Sequence, residues 1–245
     1  MKRLNLLGVS ASPRGEGNSL FLLERAIDSA GRIGREDLQV ETFAFHGKRV
    51  GPCVQCYQCD ETQGECVIKD DFQGLRDKWL RADIVLYSVP VYHFSIPAQL
   101  KAFFDRLGQS VSKRYPRARR GEQAVHLKVV GGIAQGLDIF SGQEHALMDV
   151  VRHTVLENCI PVSGNTYVGA GGWTAWSRDS DKIKSLAEQG DAIALFSVSA
   201  AESIGKRAVQ LARIIRAGCQ DQIAMLESED AFLPLLERLG KGSVR

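Results

Sequence analysis

At 245 residues the chain is long for one domain, yet an open α/β sheet with a helical extension reaches this size. An apolar fraction of 44% and a charged fraction of 24% are ordinary for a soluble globular protein, and a net charge of +2 argues neither for nor against nucleic acid. No stretch is long enough to span a bilayer, and the short apolar start MKRLNLLGVSA, broken by Asn5, is not read as a signal peptide, so a reducing cytoplasm is expected.

Residues 3 to 9 (RLNLLGV) read as a buried strand of a parallel sheet. The loop from Ser10 to Ser19 follows, then a helix with apolar residues at Leu20, Leu23, Ile27 and Ala30 and its N-cap at Asn18 or Ser19. Hydroxyls and backbone N–H groups at a helix N-terminus suit a phosphate dianion; the competing reading is a capped turn with incidental serines. The loop lacks both G-x-G-x-x-G and G-K-[ST], which disfavours a Rossmann dinucleotide loop and a nucleoside triphosphatase. A second strand is expected over 38 to 45.

Next comes CVQCYQCDETQGEC, with Cys53, Cys56, Cys59 and Cys66 spaced C-x2-C-x2-C-x6-C. Three thiols two residues apart can turn around one centre, as in a ferredoxin-type [4Fe–4S] run. The turn-prone stretch Asp60 to Gly64 can bring the fourth back. A structural zinc site is the second choice, because zinc usually takes two separated C-x2-C pairs. Disulfides come last, since nothing else in the chain looks secreted; Cys159 and Cys219 read as ordinary thiols.

Asp70 or Asp71 is expected to cap a helix to about Arg81, followed by a buried strand over 82 to 90. The turn from Val91 to Pro97 leads into a helix with Leu100, Phe103, Phe104, Leu107 and Val111 on one face. On it, Lys101, Asp105 and Arg106 are expected to form surface pairs. A fourth strand is read over 124 to 131, and Ser141-x-x-Glu144 as a capping box opening a helix to about Asn158. A fifth strand is read over 162 to 168, helix over 180 to 217, and one amphipathic helix with a frayed end after 221. This alternation specifies a doubly wound five-stranded parallel sheet of flavodoxin-like type, order 2-1-3-4-5. The basic stretch 113–120 reads as a solvated or subunit-contact loop; Trp173 and Trp176 read as either a lid or a subunit contact.

Taken together, G-x-S-x-S-P-R-x-x-G-N-S, the run from Ser88 to Arg106 and the G-Q-E segment resemble the NAD(P)H-dependent FMN reductase family. The cysteine run makes the chain most similar to its iron–sulfur flavoprotein branch, over roughly residues 3 to 170. The resemblance implies FMN phosphate contacts from Ser10, Ser12, Asn18 and Ser19, with Arg14 near the loop. It implies that Pro90, Val91, Tyr92, His93, Phe94 and Ser95 border the isoalloxazine ring, and that Gly132, Ile133 and Gly136 cover its other edge. It assigns the cluster to Cys53, Cys56, Cys59 and Cys66. His93 could hydrogen-bond the flavin or shuttle a proton, but the favoured reading is a solvated loop histidine, and no obvious general base is needed, because the flavin does the chemistry.

Residues 1–220 are therefore expected to form the FMN-binding domain, including the cysteine loop 51–70, with 221–245 as a helical tail. The expected activity is electron transfer between a reduced donor, ferredoxin or NAD(P)H, and an acceptor. The alternatives are an NAD(P)H-dependent FMN or quinone reductase without a cluster, a flavin-dependent dehydrogenase of a small biosynthetic intermediate, and a redox sensor. The resemblance also implies a homodimer or homotetramer. Neither nucleic acid nor a membrane is an expected partner.

Overall fold

Three runs, LNLLGVS, IVLYSVP and VVGGIAQG, are apolar at successive rather than alternate positions, so they belong where both faces of a sheet are covered. The computed structural model describes residues 3–115, 123–137, 141–165, 172–176 (backbone alone) and 182–241. In it these runs are β1 (Leu4–Ser10), β3 (Ile84–Pro90) and β4 (Val129–Gly136), the centre of a wholly parallel sheet. The edge strand β2 (Leu38–Ala44) pairs with β1. The order is β2-β1-β3-β4-β5, as the sequence pattern requires.

The fifth position is divided. β5 (Ile160–Val162) pairs with β4 at Val129–Gly131, and β6 (Gly172–Trp176) pairs with the next stretch of β4, Gly132–Gly136. In place of the single strand read over 162 to 168 there are two, β5 and β6, and residues 166–168 lie outside those described. β4 also begins and ends five residues later than the sequence reading.

Helices cover both faces. On one, α1 (Asn18–Gly34) and the 30-residue α7 (Ala192–Asp221) bury Leu22, Leu23, Ala26, Ala200, Ile204 and Ala208 against Leu4, Leu6, Ile84, Leu86 and Ile133. On the other, α3 (Phe72–Arg81), α4 (Ala98–Arg114) and α5 (Gln143–Leu156) bury Phe72, Trp79, Leu100, Phe103, Phe104 and Leu147 against Leu7, Val9, Val85, Tyr87 and Val130. Each such large apolar side chain contributes about 1.5–3 kcal/mol on burial. The short α6 (Ile183–Glu188) precedes α7.

Beyond α7 the sequence suggests one helix; the structure has two short ones, α8 (Ile223–Glu227) and α9 (Leu233–Leu239). They form a small third core around Cys219, Leu226, Leu235 and Leu236. The tail is tied to the sheet's amino edge: Asp83 accepts from Arg216 at 2.8 Å and Arg238 at 3.4 Å, and Tyr115 donates to Glu237 at 3.0 Å. No helix among the described residues is long and apolar enough to cross a membrane.

Glu157, just past α5, is buried beside Gly108, and this burial pushes its carboxyl up from 4.5 to about 7. A carboxyl with a raised folded-state pKa binds its proton more tightly when folded, so its contribution is complete below pH 4.5 and is lost as pH rises to about 7. At 1.36 kcal/mol per unit the loss reaches about 3 kcal/mol. Glu157→Gln is expected to exceed the wild type in stability at pH 8 and to match it near pH 4.5. Urea unfolding at both pH values checks this; parallel pH profiles for the two proteins would refute it.

Candidate functional site

The loop after β1 is folded by its own small polar residues. Ala11 N–H donates to Ser88 O at 2.8 Å, and Ser88 Oγ donates to Ser19 O at 2.6 Å, so the start of α1 is held against the ends of β1 and β3. Ser10, Ser12, Asn18 and Ser19 are all buried here. Ser12 Oγ accepts from Arg14 N–H at 3.1 Å, a hydroxyl-stabilised turn. Asn18 Oδ1 accepts from Ile183 N–H at 3.0 Å, bringing the start of α6 to the same place. The helix cap falls on Gly17, so Asn18 and Ser19 are first-turn residues instead of caps. Phe21 N–H makes the first backbone bond of the helix, to Gly17 O, and the preceding N–H groups have no acceptor within the helix. Ser10 Oγ is buried with no hydrogen-bond partner among the described residues, in a loop otherwise well bonded. His46, which sequence reading missed, bridges from beyond β2 to Pro13 O at 3.0 Å.

At the end of β3, Pro90 closes the strand and Val91 N–H donates to Gln135 O at 2.8 Å. Tyr92 and Ser95 exchange backbone hydrogen bonds of 2.9 and 3.0 Å around His93 (φ 46°) and Phe94 (φ 65°). Two positive φ values in a two-residue loop mark a type I′ turn, normally made by Asn and Gly. Holding a His and a Phe there costs on the order of 1–3 kcal/mol each. The turn is braced by Ser95 Oγ donating to Asp149 and by Gly142 (φ 102°), where a Cβ would stand 2.4 Å from Phe94 Cα. Tyr92, His93 and Phe94 are exposed.

The third edge segment differs from expectation. Gly132 and Ile133 lie within β4, and Gly136 ends it, so the edge loop begins at Leu137. The Ser141–Glu144 capping box does not form: Gly142 is the cap, Ser141 N–H donates to Gln143 Oε1 at 2.9 Å, and Glu144 is exposed.

The cysteine loop leaves β2 at the carboxyl edge but folds back along α4 instead of staying there. Its one regular element is the four-residue helical turn α2 (Gln58–Glu61). Cys53, Cys56, Cys59 and Cys66 are free thiols that line one depression with Val54, Tyr57, Val67, Ile68 and, from α4, Arg106, Gln109 and Ser110. Burial is the main cause pushing the Cys59 thiol up, with Asp60 adding to it. Among the described residues no three cysteine, histidine or carboxylate side chains converge on a position for a single metal ion.

The loop's mouth is clamped by residues assigned elsewhere from the sequence. Arg106 is no surface residue: it is 2% exposed. Its Nη1 donates to Asp70 at 2.7 and 2.8 Å and to Gly51 O at 3.3 Å; its Nη2 donates to Ile68 O at 2.8 Å and Cys66 Sγ at 3.3 Å. Asp70 also accepts from Gly51 N–H at 2.8 Å and Phe72 N–H at 3.0 Å. Arg76 adds a pair to Glu65 at 2.8 Å, and Lys113 one to Asp60 at 2.8 Å. Lys101 and Asp105 do form the exposed i,i+4 pair expected of them. Residues 116–120 of the basic stretch lie outside the described residues, as do the side chains of Trp173 and Trp176.

Residues 4–170 match the family model described as NADPH-dependent FMN reductase. An iron–sulfur flavoprotein of Archaeoglobus fulgidus is 34% identical over 71% of this chain and 84% of its own length. An iron–sulfur flavoprotein of Methanocaldococcus jannaschii is 28% identical over 87% of this chain and all of its own. The crystal structure of RosB with bound 8-demethyl-8-formylriboflavin-5′-phosphate superposes with a TM-score of 0.62 at 17% identity, over 94% of this chain and 89% of that one; at that identity the likeness concerns the fold.

Gly64 sits where the loop meets α4, at φ 88°, and a Cβ there would fall 2.3 Å from Ser110 O. Gly64→Ala is therefore expected to loosen the loop by about 1–3 kcal/mol while leaving the sheet intact. Thiol titration with a chromogenic disulfide should show the half-buried Cys53, Cys59 and Cys66 reacting at least tenfold faster, with exposed Cys56 and the circular dichroism unchanged. Unchanged rates would show that the loop does not depend on this contact.

Proposed function

The chain belongs to the NADPH-dependent FMN reductase family and is a flavin-dependent oxidoreductase, and from that premise we propose that it is an iron–sulfur flavoprotein. It would hold FMN in the Ser10–Ser19 cradle and a [4Fe–4S] cluster on Cys53, Cys56, Cys59 and Cys66. FMN supplies exchange of electron pairs with a nicotinamide or of single electrons with a [4Fe–4S] centre, so the pair together converts one kind of donor into the other.

The cradle suits a phosphate dianion. Ser10 Oγ is a buried donor lacking a partner, Ser12 Oγ keeps its proton to donate, and the first-turn N–H groups of α1 add the positive end of the helix dipole. Asn18 orients through Ile183, and Arg14 is exposed at the rim. The braced turn Tyr92–Ser95, with Pro90 and Val91 behind it, offers a rigid border for a flat ring; Gly136, at the end of β4, would serve the ring's other edge. Gly132 and Ile133, interior to β4, can serve that edge only through the strand that carries them.

The observation that carries the cluster reading is the gathering of four unpaired thiols around one depression on a clamped loop. A cubane gives each of its four irons its own thiolate, which matches a set of four cysteines on one loop. Exposed Val54, Tyr57 and Val67 surround them, an apolar rim suited to an electron-transfer partner such as a ferredoxin or to a second copy of the chain.

Anaerobic purification followed by iron and acid-labile sulfide analysis should give about four of each per chain. Stoichiometric zinc without sulfide rejects the cluster and leaves the quinone or flavin reductase reading, in which Cys56→Ser retains full activity. For the cradle, Ser10→Ala removes one hydrogen bond to a charged group, worth about 1.5–3 kcal/mol, and is expected to weaken FMN binding at least tenfold. Quenching of flavin fluorescence measures this, and an unchanged Kd would remove Ser10 from the phosphate site.

A further inference from the structure

Among the residues lining the cysteine depression, one polar side chain comes from outside the loop, is almost wholly buried and touches a sulfur. Arg106 Nη2 donates to Cys66 Sγ at 3.3 Å. The guanidinium is held from four other directions: by both oxygens of Asp70, by Gly51 O, by Ile68 O, and by the face of Phe72, whose ring centroid is 4.2 Å from Cζ. Its Nε has no partner, so the group is not placed to satisfy all of its own donors. It is placed where the two ends of the loop and one sulfur can be reached together.

We propose that Arg106 is a positioning residue for the cysteine centre that also raises the centre's reduction potential, through the N–H it directs at Cys66 Sγ. The inference rests on the iron–sulfur reading. Reduction adds one electron to the centre, and much of the added negative charge falls on its sulfurs. A fixed positive donor in a buried site stabilises that charge more than the oxidised state, and hydrogen bonding to sulfur is one of the factors that set such potentials. Asp70 holds the other terminal nitrogen, Nη1, and fixes the aim of the guanidinium, while Gly51 and Ile68 fix its depth.

Ser110 is the matched control. Its hydroxyl donates to Gly64 O, bracing the same loop from the same helix without touching a cysteine. A merely structural role for Arg106 would make the two residues behave alike.

The test is an anaerobic redox titration of holoprotein with the cluster followed by electron paramagnetic resonance, for the wild type, Arg106→Lys and Ser110→Ala. Lysine replaces the planar fork by a single donor centre and cannot reach Asp70, both carbonyls and the sulfur at once. Arg106→Lys is expected to hold its iron and sulfide yet lower the reduced-to-oxidised ratio about tenfold at a fixed solution potential, which is ~59 mV for one electron. Ser110→Ala is expected to leave the potential unchanged while lowering the unfolding temperature. Equal potentials in Arg106→Lys and the wild type, or equal shifts in both variants, overturn the proposal. If Arg106→Lys does not retain the cluster, wild-type protein labelled with 15N-arginine serves instead. A nitrogen hyperfine coupling to the reduced centre supports the contact, and its absence overturns it. Wild-type protein without sulfide would be a failure of the iron–sulfur reading itself, recognisable before any variant is compared.

Discussion

The buried ion pair between Arg106 and Asp70 is what gives the cysteine loop a shape. Apart from one helical turn at Gln58–Glu61, the loop has no backbone ladder to hold it. Removing two charges from water is costly, and such a pair is repaid only when its remaining donors and acceptors are met. Most of them are. Asp70 takes backbone N–H groups from Gly51 and Phe72 as well as the guanidinium, while Arg106 takes carbonyls from Gly51 and Ile68. Burial pushes the Asp70 carboxyl up, but Arg106 and the two N–H groups outweigh it and hold it below the ordinary carboxylate range. Gly51 and Ile68 lie on either side of the cysteine run, so one ion pair closes the mouth of the loop and leaves its interior to the thiols.

Helix α4 links this loop to the carboxyl edge. The strained Tyr92–Ser95 turn lies just before its first residue, Ala98, and Arg106 is eight residues further on. At 1.5 Å per residue the helix sets the two about 12 Å apart along its axis. The cysteine depression and the Tyr92–Ser95 turn are therefore joined by a rigid element. The path of the loop along that helix depends on contacts of Gly64 with Ser110 and of Asp60 with Lys113 that no strand order specifies.

Much of the fold was legible because its signals are local. Continuous apolar runs announced β1 and β3, and the stripe Leu100, Phe103, Phe104, Leu107 and Val111 announced the buried face of α4. The misses have a common physical cause: a side chain's role was settled by a partner far away in sequence. Arg106 looks like part of a charged helix surface until Asp70 and Cys66 are brought to it from about forty residues earlier. Ser141 and Glu144 fit a capping box, but Gly142 must pack on Phe94, and that contact decides the cap. The glycines of β4 suggested that the strand ended at Gly131 and Gly132. They stay in the sheet because a Cβ at Gly131 would collide with Leu86 and Ile204, so their smallness serves packing instead of a turn. Of the candidate site, the residue types were readable and the bracing was not. His46 and Asp149 carry no motif, and Arg106 ends the Ser88–Arg106 run without any sign in it of the cysteine loop.

The protein also buries a lysine, and the contrast bears on why the residue at the cysteine loop is an arginine. Lys128 begins the approach to β4, donates to Leu80 O at 2.9 Å and Ala82 O at 2.7 Å, and lies over the Trp79 ring. None of these three partners is a carboxylate. Burial drives its pKa far down, with Arg238 adding to the effect, so its ammonium can give up a proton and still donate to the two carbonyls. That suffices for joining α3 and β3 to the sheet's amino edge. It would not suffice beside a sulfur of the proposed cluster, where a donor that neutralises under desolvation would lose its electrostatic effect on reduction. A guanidinium stays protonated, and its planar fork can satisfy a carboxylate on one side while reaching sulfur and carbonyl on the other. The ion pair with Asp70 therefore has two consequences that follow from one geometry: it closes the loop, and it keeps a permanent positive charge pointed at Cys66.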